Sequence, residues 1–120
     1  MTDDEIPTAV ARADDAYEAV RALNHATLAT TLPAPVVYDV LGNLKGVGHM
    51  LPQALNQMAR GLGKSLEEYD VYEDGGGDPV QSVAAAVDHL TEAARLAAAL
   101  GVALEAAQSA ITGQGYRAPH

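Results

Sequence analysis

An alanine-rich segment, residues 79–112, limits the fold more than any other feature of the sequence. Apolar or small residues recur along it at spacings of four and three, the period of an α-helix with a buried face. This seam consists of Val83, Val87, Leu90, Ala94, Ala97, Gly101, Leu104, Gln108 and Ile111. A second apolar line beside it consists of Val80, Ala86, Ala93, Leu96, Leu100, Ala103 and Ala107. A helix that is apolar over more than half its circumference packs against more than one neighbour.

Both ends of this segment carry helix-boundary signals. Asp78 is a favourable N-cap, and Pro79 is favoured at the first helical position. Gly113 and Gly115 interrupt the pattern at the other end. The sequence therefore predicts a helix from Pro79 to about Thr112, about 50 Å long at the usual rise per residue. This length favours an elongated bundle or an interface with another chain.

A first helix is predicted over residues 8–28. Behind Pro7, apolar residues recur every three or four positions, and most charged residues fall on the other side. The apolar positions are Val10, Ala13, Tyr17, Val20 and Leu23 or Asn24. Residues 30–35 form a connector, because Pro33 and Pro35 lack amide donors and disfavour a helical conformation at the preceding residue. Pro35 also suits the first turn of a following helix.

The central segment, residues 37–62, keeps a heptad-like spacing on both sides of a proline. Its positions are Val37, Leu41, Leu44, Gly48, Leu51, Leu55, Met58 and Leu62. Either one long helix kinks between Gly46 and Pro52, or two helices meet there with Pro52 in the first turn of the second. Glycines at 42, 46 and 48 each cost about 1 kcal/mol relative to alanine within a helix. A bend or a break is therefore favoured.

The remaining segments predict irregular structure. Residues 67–78 hold six acidic residues and three consecutive glycines without a basic residue, which is typical of a mobile surface loop. Residues 1–7 are expected to be a disordered acidic leader and residues 114–120 a flexible tail. Residues 8–113 are expected to form a single helical domain. The predicted fold class is all-α, an elongated bundle of three to four helices with a long alanine-rich C-terminal helix.

Composition excludes several classes of protein. The chain of 120 residues holds 24 alanines and no Cys, Phe or Trp, so disulfides, iron–sulfur clusters and cysteine nucleophiles are impossible. Its formal net charge of −9 argues against unaided binding to nucleic acid or to an anionic membrane. The acidic N-terminus is unlike a secretory signal, and Arg95 and Glu105 interrupt the longest weakly polar stretch. We expect a cytoplasmic protein without a membrane span.

The sequence lacks the common catalytic and ligand-binding motifs. His25, His49, His89 and His120 are the histidine candidates for a metal site, but no Glu stands three residues before any of them, as di-iron bundles require. An EF-hand aligned on the acidic loop lacks ligands at its third and twelfth positions. The three serines, Ser65, Ser82 and Ser109, lie outside nucleophile motifs, and Gly63-Lys-Ser lacks the first glycine of a phosphate loop. The sequence predicts no catalytic residue, metal or cofactor.

A degenerate helix-turn-helix over residues 54–70 is the alternative for DNA binding. Ala59 and Gly63 stand four residues apart, as such motifs often require. The recognition helix would carry Glu67, Glu68 and Asp70, which repel phosphates, and only Lys64 offsets them. Nucleic-acid binding is therefore the less favoured function.

In size, acidity and alanine-rich helices, the chain resembles the small helical-hairpin proteins of type VII secretion. It has no Trp, so the Trp-x-Gly turn of that family is missing. Its Tyr-x-x-x-Glu arrangement, Tyr69 to Glu73, lies in mid-chain, whereas the family's export signal is C-terminal. The resemblance assigns no functional residue to this chain.

The sequence thus predicts a non-enzymatic helical module for protein–protein interaction, a homodimer acting as an adaptor or assembly factor. The partner is a second copy, another protein, or both. The predicted partner-binding residues belong to the seam of the last helix: Val83, Val87, Leu90, Ala94, Ala97, Gly101 and Leu104. A helical bundle that binds a small molecule or a metal is a second alternative, after the DNA-associated regulator.

Overall fold

A computed structural model describes residues 6–119, and over that range the protein is all-helical, with three helices and no strand. The chain separates into two compact units, one ending at Pro33 and one beginning at Ala34. The all-α prediction is confirmed. The single domain over residues 8–113 stays a prediction, as does the number of helices in a bundle. Residues 1–5 of the expected leader and the last residue of the expected tail lie outside the described range.

The first unit holds α1, Thr8–Leu28, with the predicted bounds. Pro7 precedes the helix without a side-chain cap, and its carbonyl accepts a hydrogen bond from the Ala11 N–H. Exposed ion pairs at i, i+3 join Arg12 to Asp15 and Arg21 to Glu18. No residue of α1 is buried.

The second unit begins with α2, Ala34–Glu68, a single helix that continues through Pro52. A break into two helices, one of the two predicted alternatives, is therefore wrong. Pro35 lies in the first turn, where its missing N–H costs nothing. Pro52 has no N–H to offer the Gly48 carbonyl four residues earlier. The helix tolerates this loss because apolar residues on both sides of Pro52 lie on the side that packs against the next helix.

The loop after α2 is shorter than predicted, since Glu67 and Glu68 are still helical and the loop runs from residue 69 to residue 78. Gly76 has φ of +81°, a conformation that favours glycine, and its N–H donates to the Glu73 carbonyl. Asp78 closes the loop as the predicted N-cap, accepting a hydrogen bond from the Val80 N–H at 3.0 Å.

The last helix, α3, spans Pro79–Ala110, within two residues of the predicted end. It packs against α2 in the antiparallel sense, since contacts pair rising residue numbers in α2 with falling ones in α3. The buried hydrophobic residues of the described chain are Ala59, Ala94 and Ala97, and no large side chain there is fully buried. The α2–α3 hairpin therefore has a core of small residues.

Candidate functional site

The seam predicted to bind a partner lies inside the hairpin. Ala94, Ala97 and Gly101 are buried, and Val83, Val87, Leu90 and Leu104 are half-buried. These residues follow the α2-facing side of α3, so intrachain packing occupies them. Their role in binding a partner stays a prediction, and the more accessible apolar surface lies elsewhere on the hairpin.

The two helices approach closely where Gly48 meets Gly101. A Cβ atom built on Gly48 would lie 2.7 Å from the Gly101 Cα and 3.2 Å from the Ala97 carbonyl oxygen. A Cβ built on Gly101 would lie 2.9 Å from Nδ1 of His49. Ordinary carbon contacts are about 3.5 to 4.0 Å long, so the backbone of α3 leaves no room for a side chain at Gly48. At Gly101 the nearest atoms belong to the His49 side chain, and the Gly48 carbonyl carbon lies 3.2 Å away. This crossing sets which sides of α2 and α3 remain free.

One side of the hairpin, the polar flank, carries hydrogen-bonding and charged groups. Nε2 of His49 lies 3.6 Å from Oε2 of Glu105, and both side chains are about half exposed. Further along, an open depression lies between the two helices on the same side. Its lining consists of Asn56, Ala59, Arg60, Gly63, Val87 and Thr91. On both helices, this flank thus lies about 100° around the helix axis from the residues that face the other helix.

The opposite side of the hairpin is the apolar flank. It is formed by the residues that lie on the other side of the line where the two helices touch. Its α2 residues are Val36, Val40, Val47, Leu51, Ala54 and Met58, and its α3 residues are Ala93, Leu96, Leu100, Ala103 and Ala107. A shallow depression at one end brings Leu62 of α2 beside Ala86 of α3. Leu62 follows Met58 by four residues and Ala86 precedes Ala93 by seven, so both continue the rows at helical spacing, and the two rows lie on the same side. The rows therefore form one continuous surface along the hairpin.

The apolar flank is exposed and uncharged. Its six larger exposed side chains, Val36, Val47, Leu51, Met58, Leu96 and Leu100, are between 40 and 53% exposed. None of the flank residues defined above carries a formal charge. The charged residues of α3 lie on its other sides, and among them Arg95 donates hydrogen bonds to Glu92. That contact holds the pKa of Glu92 below its usual value and raises the pKa of Arg95.

A polar contact between α3 and α2 marks one end of the hairpin. Nε2 of Gln108 donates a hydrogen bond to the Tyr38 carbonyl oxygen at 3.1 Å. The same nitrogen lies 3.0 Å from a Cβ built on Gly42, so the missing side chain at Gly42 leaves room for the amide. Gln108 belongs to the predicted seam, and its polar end is satisfied within the chain.

Sequence reasoning found half of the apolar flank. The second apolar line of α3, noted from spacing alone, contains its five α3 residues. Of the α2 row, only Leu51 and Met58 belong to the heptad-like positions of the central segment, so the row through Val36, Val40, Val47, Leu51 and Met58 was not predicted as such. Those residues are spaced by four and seven, which is also a helical period. That spacing is the signal that predicts the row.

The structure bears on the alternative sites too. Residues 54–68 belong to one uninterrupted helix, so the turn that a helix-turn-helix needs is absent there. Within residues 6–119, no group of three or more metal-ligating side chains comes together. None of the helices over that range is long and apolar enough to cross a membrane.

Comparison with protein-family models, curated proteins and solved structures finds no match to this chain.

Proposed function

We propose that this protein is a non-enzymatic module for protein–protein interaction, an adaptor or assembly factor, and that the apolar flank of its α2–α3 hairpin is the contact surface. The observation that carries the proposal is the imbalance between buried and exposed apolar residues. The hydrophobic core of the described chain consists of three alanines, whereas valine, leucine and methionine side chains line one exposed side of the hairpin.

The energetics of burial support this function. The six larger side chains of the apolar flank are 40 to 53% exposed, which corresponds to roughly 500 Å². Covering that area completely is worth on the order of 10 kcal/mol before the entropic costs of association. The three buried alanines contribute little area each, and the larger residues between the helices, such as Leu90 and Leu104, are only half-buried. The hairpin therefore gains further apolar burial when another surface covers the flank. A partner therefore stabilises the folded hairpin as well as binding to it.

Electrostatics also favour a protein partner. The net charge of −9 repels nucleic acid and anionic lipid, and the contact surface offers no cationic group to offset this repulsion. An apolar surface bordered by polar residues is the common anatomy of a protein interface. The second copy and other proteins both remain partners under this proposal.

Site-specific photo-cross-linking in cells tests the proposed function. A benzophenone side chain is placed at Leu100, on the apolar flank, or at Val102, two residues away. The two positions lie about 200° apart around α3, and they are 52 and 61% exposed, so their accessibility is similar.

We expect discrete adducts with a protein chain from position 100 and few from position 102, with the adduct identified by mass spectrometry. The partner lies against one side of the helix only, which is why the two positions differ. Absence of adducts from position 100, or equal adducts from both positions, contradicts the proposed function.

A further inference from the structure

We propose that the occupant of the apolar flank is a second copy of this chain, packed flank to flank about a two-fold axis so that two hairpins form a four-helix bundle. This inference rests on the proposed function, since it names the partner of the same surface. It does not use the seam between α2 and α3, which intrachain packing already occupies.

Charge points to the second copy. Two chains of net charge −9 repel each other, and this repulsion opposes contact least where neither surface carries charge. The apolar flank meets that condition along its whole length, from Val36 to Met58 on α2 and from Ala93 to Ala107 on α3. The flank offers a charged partner no group of opposite sign. The same uncharged flank on a second copy meets it without charge repulsion.

The available area also fits a second copy. A two-fold contact uses the same surface on both chains, so the six larger side chains alone provide roughly 1,000 Å² of buried area in total, the lower bound for a specific interface. The exposed Ala103 and Ala107 of the same flank add to this area. Small residues between larger ones let helices approach closely, as Gly48 and Gly101 already do within one hairpin.

Symmetry closes the assembly. The flank occupies one side of the hairpin, and the other side carries the His49–Glu105 contact and the side chains of Asn56, Arg60 and Thr91. A two-fold axis buries both apolar flanks and leaves both polar flanks outside. The result is a closed dimer that offers no further apolar flank for the addition of a third copy.

Sedimentation equilibrium of the purified full chain tests the second copy. Three proteins are compared from about 1 to about 100 µM: the wild type, Leu100→Glu on the apolar flank and the matched control Val102→Glu on α3. We expect the wild type and Val102→Glu to sediment at twice the chain mass of 12.4 kDa. Leu100→Glu places two unpaired carboxylates in the interface and weakens the dimer at least about 100-fold.

Circular dichroism checks that each variant is helical, and Leu96→Glu repeats the test at a second flank position in case Leu100→Glu fails to fold. A monomeric wild type over this concentration range overturns the second copy, as does a dimer that survives both flank substitutions. Photo-cross-linking separates the two proposals. If the wild type is a monomer and position 100 still gives adducts with a different protein, the proposed function stands and the second copy is overturned. If the wild type is a monomer and position 100 gives no adducts, both proposals are overturned.

Discussion

The close approach of the two helices at Gly48 allows a sharp mutational test. Replacing Gly48 by alanine adds one methyl group at the crossing with α3. The new Cβ would lie 2.7 Å from the Gly101 Cα, 2.8 Å from the Gly101 nitrogen and 3.2 Å from the Ala97 carbonyl oxygen. All three neighbours are backbone atoms, so none can rotate away as a side chain would. The helices must separate by about 1 Å to restore ordinary contact distances.

The magnitude follows from two opposing effects. Overpacking of a close contact costs about 1 to 3 kcal/mol, and separation of the helices also loosens the packing of the buried Ala97. Alanine in a helix is favoured over glycine by about 0.5 to 1 kcal/mol. We therefore expect Gly48→Ala to lower the free energy of unfolding by about 1 to 2 kcal/mol.

Gly46→Ala is the matched control, since a Cβ at Gly46, two residues away in the same helix, meets nothing within 4 Å. That variant gains the helix propensity alone, about 0.5 to 1 kcal/mol. Urea unfolding followed by circular dichroism, at one fixed protein concentration, measures both. If Gly48→Ala is as stable as Gly46→Ala, the close crossing described for this hairpin is wrong.

Three further substitutions test the hairpin's remaining contacts. Asp78→Ala removes the N-cap of α3 and should cost about 1 kcal/mol in urea unfolding, with no loss contradicting the cap. Gln108→Ala removes the hydrogen bond to the Tyr38 carbonyl and leaves a small void, so we expect a cost of about 1 to 2 kcal/mol by the same method. Arg95→Ala should raise the pKa of Glu92 toward its usual value in an NMR titration. Because the folded pKa of Glu92 lies below its unfolded value, the contribution of this carboxylate is complete above the unfolded pKa and is lost as pH falls through the folded pKa. The stabilities of Arg95→Ala and the wild type should therefore converge at acidic pH, and an unchanged Glu92 pKa would refute the contact.

Local signals in the sequence predict where the helices begin. Pro7 and the Asp78-Pro79 pair place the starts of α1 and α3 correctly, because capping and the restricted φ of proline act within a few residues. Helical spacing also predicts the α2-facing side of α3. These features depend on neighbours in sequence, which is why the sequence reveals them.

Contacts between helices explain what local reasoning missed. Pro52 favours a break by its own chemistry, yet α2 continues through it because residues on both sides pack along α3. Gly48 and Gly101 each stand in an apolar row, but their pairing depends on the register of two helices, which periodicity does not determine. The apolar flank follows from that register too, since only the crossing shows which side of each helix stays free.

Oxidation of two native methionines in the purified chain tests the central claim, that a second copy covers the apolar flank. Met58 lies on the flank, and Met50 lies toward the outer side of the same helix; they are 51 and 69% exposed in the single chain. Peptide mass spectrometry after brief peroxide treatment gives the oxidation rate of each. A covered flank predicts that Met58 reacts several-fold more slowly than Met50 at high protein concentration, and that dilution or Leu100→Glu reduces the difference to the small one that their exposures of 51 and 69% give. Equal rates for both methionines at every concentration would contradict the account.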